Sequence, residues 1–258
     1  MLKRVFRIHG LIAVMLILSS CARAPVRPPG IYPSGEVYPR QAAHVQRQDI
    51  CHIVGPGETV WRISKMYDVN MQELMRKNGL RHPTDLKMGQ KIMVSRAAPV
   101  RPVIPLYNTE KWKYIIVHHS ATDEGNALSL FDLHMKRGFT SGLGYHFVIA
   151  NGSFGKIDGQ IEASPRWIKQ MDGAHCKASG MNHQGIGICL VGNFSNESVP
   201  DKQLDSLVYL VNVLRKQYKI PYQNILGHGQ VPEARTECPG TRFPWDEFHS
   251  RLRASEYR

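Results

Sequence analysis

The stretch Ile186–Phe194, IGICLVGNF, is apolar at nearly every position. Alternate residues of a strand point to opposite faces, so a strand apolar throughout needs cover on both sides. This run therefore predicts a central strand sandwiched between two layers, and the rest of the C-terminal half supplies them. KYIIVHH (113–119) and YHFVIA (145–150) read as further strands, and Asn151-Gly152 reads as a hairpin turn into a strand at SFGKI (153–157). In VPDKQLDSLVYLVNVLRKQY (199–218), Leu204, Leu207, Val208, Val211 and Leu214 fall on one helical stripe. Pro200 and Asp201 suit the first turn of that helix. NILGHG (224–229) reads as a short strand ending at a histidine, and FPWDEFHSRLR (243–253) as a closing helix. The fold class expected for residues 112–258 is α/β, a mixed central sheet flanked by helices.

Two proline-rich stretches divide the chain. Residues 22–50 hold five prolines and no apolar period, which predicts an extended tether over 21–50. A second such stretch predicts a linker over 96–111. Between them, residues 51–95 read as strand, helix, helix, strand, with Pro56-Gly57 and Asn78-Gly79 as punctuation. This is a small core for a separate module. The run VGPGETVWRISKMYDVNMQELMRKNGL…LKMGQKIMV resembles a LysM module, matching it at Gly57, Thr59, Ile63, Tyr67, Leu74, Asn78 and Leu80 among others. That resemblance implies binding to the N-acetyl groups of chitin or peptidoglycan glycans. The groove it implies lies between Gly57, Glu58 and Thr59 on one side and the loop from Leu80 to Thr84 on the other.

MLKRVFRIHG opens the chain with Lys3, Arg4 and Arg7, and LIAVMLILSSC follows. The apolar run is too short to span a bilayer as a helix. Basic start, short apolar core and small residues predict a secretory signal over residues 1–20. LSSC resembles the bacterial lipobox, which implies lipidation of Cys21 and attachment to a membrane. Ala22 follows that cysteine, so the same resemblance points to the outer membrane, with the protein facing the periplasm. Net charge is +12 over 258 residues, and loss of residues 1–20 leaves about +9. Such a charge attracts polyanions. No basic run is interleaved with aromatics and no nucleic-acid motif is present, so an anionic cell envelope is the expected partner rather than nucleic acid. A monomer is expected.

Among the histidines and cysteines of the larger domain, position singles out a few. His118 and His119 end one predicted strand, and His228 ends another. Cys238 follows ten residues later in GHGQVPEARTECPG. Two strand-end histidines and a loop cysteine can meet at one sheet edge. Three protein ligands leave a fourth tetrahedral position open, which a catalytic zinc requires. A redox role for Cys238 would want a second thiol close by in sequence, and none is there.

VHHSAT, GYHFVIANGS, GAHCKASGMNHQGIGICLVGNF and GHGQVPEARTECPG occur in the order seen in type 2 N-acetylmuramoyl-L-alanine amidases, which include phage amidases and peptidoglycan recognition proteins. The resemblance implies Zn2+ as cofactor, with His118, His228 and Cys238 as ligands and His119 as a packing neighbour. It implies catalytic roles for Tyr145 and Thr236, and places His175 and Asn182 along the substrate cleft. The activity it implies is hydrolysis of the amide between N-acetylmuramic acid and L-alanine of peptidoglycan. The rival reading is a lipoprotein that binds wall fragments without cutting them. Relatives of that kind have typically lost the cysteine, which is present here.

Overall fold

The computed structural model describes residues 46–255. The expected signal segment, Cys21 and most of the tether lie outside the described residues. The first module is β1 (Gln48–Ile53), α1 (Val60–Met66), α2 (Met71–Lys77) and β2 (Lys91–Ala97), with the strands paired antiparallel. It starts three residues before the expected boundary at 51 and ends two after 95, because Gln48 pairs with Ala97. Thr59 accepts from the Arg62 N–H and so caps α1, while the Asn70 side chain accepts from the Glu73 N–H at the start of α2. Val60, Ile63, Tyr67, Leu74, Ile92 and Val94 form the module's core.

The larger domain runs β3 (Tyr114–His119), α3 (Ala127–Lys136), β4 (Phe147–Asn151), β5 (Asp158–Ala163), α4 (Pro165–Ile168), α5 (Met181–Gln184), β6 (Gly185–Leu190), α6 (Asp201–Tyr218), β7 (Ile225–Gly227) and α7 (Trp245–Ala254). Its five-stranded sheet has the order β5-β4-β6-β3-β7. β4, β6, β3 and β7 are parallel and β5 is an antiparallel edge. The expected mixed sheet is present, and β6 is buried along its whole length between β4 and β3. Ile115, Val117, Ile149 and Ile188 pack on one face with Leu207, Val211 and Leu214 of α6. Val148 and Cys189 pack on the other face with Ala127 and Leu130 of α3. Removing such aliphatic area from water stabilises the fold by roughly 25 cal/mol per Å2.

Two expectations change. The strand expected at SFGKI is a loop: β4 ends at Asn151 and β5 begins at Asp158. Tertiary bonds hold that loop open. The Ser153 hydroxyl accepts from the Gly125 N–H at 2.8 Å, and Lys156 Nζ donates to the Ile53 carbonyl of the first module at 3.2 Å. The expected linker, in turn, is a strap docked along its length. Val103 is buried in the first module's core, and its carbonyl accepts from the Arg62 guanidinium at 2.9 Å. The Pro105 carbonyl accepts from Trp167 Nε1 at 2.8 Å, and the Tyr107 hydroxyl donates to the Ile168 carbonyl at 3.0 Å. Aliphatic side chains between the prolines give this segment something to bury.

Candidate metal centre

Parallel strands finish at the same sheet edge, which is where open α/β sheets place their sites. Val117 lies opposite Gly227 in the β3–β7 register, so the next residue on each strand brings His118 beside His228. Their ring centroids are 4.7 Å apart. Alternation separates the histidine pair at the end of β3. His118 turns to the face of Cys189, its register partner on β6, and is 1% exposed. His119 turns the other way and accepts from the Phe194 N–H at 3.1 Å, a structural contact.

Cys238 arrives from the following loop. The Gly229 N–H donates to the Cys238 carbonyl at 2.7 Å, and the His119 N–H to Cys238 Sγ at 3.4 Å. Residue 229 must lack a Cβ, which would collide with the Thr236 carbonyl. The Thr236 hydroxyl accepts from the Cys238 N–H at 3.2 Å and is otherwise exposed, so it steadies the turn that presents the thiol.

One donor atom each from His118, His228 and Cys238 lies within 4.8 Å of the others. Cys238 Sγ and His118 Nδ1 are 3.6 Å apart. Zn–N near 2.0 Å and Zn–S near 2.3 Å at tetrahedral angles put such a pair about 3.5 Å apart, so the spacing fits zinc. The donor set fits as well, since two imidazoles and one thiol suit that borderline-soft ion. Burial, with neighbouring histidines adding to it, drives the His118 pKa well down, and burial lowers that of His228. Both rings are thus neutral and able to ligate. Burial pushes the Cys238 thiol up to about 12, only partly offset by the His119 N–H. A metal here must displace a thiol proton.

Tyr145 stands just before β4, its ring centroid 5.1 Å from that of His118. Burial drives its hydroxyl pKa well up, with the thiols of Cys189 and Cys238 adding to the effect, and the ring packs against the cluster that contains Cys189. It is therefore a phenol at any working pH. The two residues expected along the cleft, His175 and Asn182, also make internal hydrogen bonds. His175 is buried, with Nδ1 3.0 Å from His118 Nε2 and Nε2 3.2 Å from the Gly185 carbonyl, so both its ring nitrogens are engaged within the protein. Asn182 Oδ1 accepts from the N–H groups of His175 and Cys176 at 2.8 and 2.9 Å and so holds that loop. His146, on the opposite side from Tyr145, is structural: its Nδ1 accepts from the Gly187 N–H.

In the first module, Gly57 and Thr59 are exposed, and Leu80 is half-buried against the module's core. Glu58 differs from its expected role, because its side chain is 6% exposed and one carboxylate oxygen is bonded within the module. Its Oε2 accepts from the Gly55 N–H at 2.6 Å and bonds His52 Nε2 at 2.7 Å. His52 Nδ1 in turn lies 2.9 Å from the Tyr67 hydroxyl. Charged partners from the other domain complete a network that the sequence did not reveal: Lys156 pairs with Glu162 at 3.8 Å, both nearly inaccessible. Cys51, Cys176, Cys189 and Cys238 are all free thiols.

Known proteins resemble both modules of the chain. The sequence profile of the family described as N-acetylmuramoyl-L-alanine amidase matches residues 108–241, just over half of the chain. That of the LysM domain matches residues 52–95. Peptidoglycan-recognition protein 2 of Holotrichia diomphalia is 32% identical over 108 residues, 39% of this chain and 52% of that protein. The chain thus spans about half the length of that relative. The endolysin of Escherichia phage T7 is 33% identical over 113 residues, 41% of this chain and 68% of the endolysin. A solved N-acetylmuramoyl-L-alanine amidase from Clostridium intestinale URNW is 30% identical, with a TM-score of 0.45, covering 60% of this chain and 95% of that one. The chain belongs to the N-acetylmuramoyl-L-alanine amidase family and carries a LysM domain ahead of its amidase domain.

Proposed function

We propose that the chain hydrolyses the amide between N-acetylmuramic acid and L-alanine in peptidoglycan, using zinc held by His118, His228 and Cys238. The convergence of those three donors beside Tyr145 carries the reading. Bound zinc supplies Lewis acidity, polarising a carbonyl and lowering the pKa of water from ~16 towards ~7. The residues around it do the rest. Three ligands leave one tetrahedral position for chemistry. Tyr145, kept protonated by burial, donates a hydrogen bond to the oxyanion that develops on the scissile carbonyl. Thr236 holds Cys238 in place.

The LysM domain holds the glycan through its exposed loops at Gly57, Thr59 and Leu80–Thr84, with the Glu58 carboxylate acting inside the fold. Residues 1–20 direct export, and a lipid on Cys21 tethers the protein to the outer membrane on its periplasmic side. The basic surface favours that anionic surrounding. The deciding experiment incubates purified peptidoglycan with the protein, with and without a chelator, and analyses the products by mass. Free stem peptides that vanish with chelator and with Cys238→Ser support the enzyme. Wall binding without peptide release overturns it in favour of a recognition protein.

A further inference from the structure

We propose that His175 is a positioning residue for the metal centre: it fixes His118 in the tautomer that presents an unprotonated Nδ1 to Cys238 and His228. The inference rests on the metal reading above and deepens it.

The chain of hydrogen bonds has only one consistent assignment. A backbone carbonyl accepts and never donates, so the 3.2 Å contact between His175 Nε2 and the Gly185 oxygen puts a proton on Nε2. A neutral imidazole carries one N–H, which leaves His175 Nδ1 as an acceptor. That atom faces His118 Nε2 at 3.0 Å, so His118 Nε2 must be the donor. The remaining nitrogen, His118 Nδ1, then holds a lone pair, and it is the atom 3.6 Å from Cys238 Sγ. In the reverse assignment His118 would carry its proton on the ligating atom. His175 would then set a lone pair against the Gly185 carbonyl. The carbonyl at the start of β6 thus dictates two tautomers in series. Among the described residues, neither ring is hydrogen-bonded to a carboxylate, the partner that often orients a metal-binding histidine.

The surroundings are built around this ring. A Cβ at either Gly173 or Gly187 would collide with the His175 imidazole, so the slot exists only because both positions lack one. Asn182 fixes the His175 backbone from the other side, through the two N–H bonds to its Oδ1. A histidine retained only to fill space would need neither the carbonyl nor the glycine slot.

The test uses the full-length chain and two readouts other than activity. Nitrogen NMR of the metal-free protein at neutral pH should show His118 and His175 both protonated at Nε2. Zinc affinity, measured by competition with a chromophoric chelator, should fall about 10- to 100-fold in His175→Leu. His175→Asn keeps an acceptor near the Nδ1 position and should recover part of that loss. Cobalt loaded in place of zinc should give an altered ligand-field spectrum in His175→Leu. An Nδ1–H tautomer at His118 in the wild type overturns the inference, even if a variant fails to fold. So does a folded His175→Leu that binds zinc as tightly as the wild type. A wild-type chain that takes up no zinc overturns the metal reading as well, which separates the two failures.

Discussion

Replacing Glu58 by glutamine sets the structure against the sequence, because one gives this carboxylate an internal task and the other a place in the glycan groove. Burial raises its pKa, but the His52 hydrogen bond, the charges of Lys156 and His52 and the Gly55 N–H together outweigh it, and the value falls from 4.5 to about 2. Each unit is worth about 1.4 kcal/mol, so ionised Glu58 contributes on the order of 3 kcal/mol to folding. The folded pKa lies below the unfolded one. The contribution is therefore complete above about pH 4.5 and is lost as pH falls through about 2. Glu162 offsets part of the loss in the variant. Its pKa is pushed up to about 7, chiefly by burial and further by the Glu58 charge, and removing that charge relieves it. A net destabilisation of about 2 kcal/mol follows, in the range for breaking a hydrogen bond to a charged group. Urea titrations at several pH values measure it. The gap between wild type and Glu58→Gln should be about 2 kcal/mol at pH 6 and close towards pH 2–3, while retention on insoluble peptidoglycan at pH 6 stays unchanged. Equal stability at pH 6 with lost glycan retention would refute the reasoning and return Glu58 to the groove.

Three further outcomes are expected. Because burial keeps the Cys238 thiol protonated with a pKa of about 12, adding zinc to the apo protein at neutral pH should release about one proton per metal, read with an indicator dye in weak buffer; zinc uptake without proton release would exclude thiolate ligation. Tyr145→Phe should retain stoichiometric zinc yet lose about 10^2- to 10^3-fold in kcat, the usual cost of one oxyanion donor, and unchanged kcat would remove Tyr145 from the chemistry. Trp167→Ala empties a fully buried site and unties the Pro105 carbonyl, so thermal or urea unfolding should report a loss of about 3–5 kcal/mol.

The sheet and its principal helices were legible because apolar spacing is a local signal. The all-apolar run of β6 demanded a central position, and the stripe of α6 demanded a face to cover. The candidate metal donors were legible only in part: strand ends and a proline-bounded cysteine pointed to His118, His119, His228 and Cys238, and the resemblance to type 2 amidases, not position, chose His118 over His119. What escaped depends on partners distant in sequence. Asn151-Gly152 carries a hairpin signal, but Lys156 reaches a carbonyl 103 residues earlier and keeps the connection long. Proline content suggested a linker, but not that Val103 and Pro105 dock it against Arg62 and Trp167. His175 lies in the expected motif, but its task follows from a carbonyl ten residues later that only β6 brings beneath it. Glu58 is polar and sits in a turn, and nothing local shows that it is buried with a hydrogen bond to His52 and within the field of Lys156.

The docked strap also bears on how capture and cutting are coupled. A glycan-binding domain on a loose leash raises the local concentration of every bond within its sweep. Here Arg62 clasps Val103, Trp167 clasps Pro105, and Lys156 crosses from one domain to the other. With no leash to swing on, the two domains behave as the jaws of a fixed caliper. Under the proposed function, a glycan held by the first would present to the second the stem peptides that lie at a set distance along the sugar chain, and those in between would be reached after the strand is released and gripped anew.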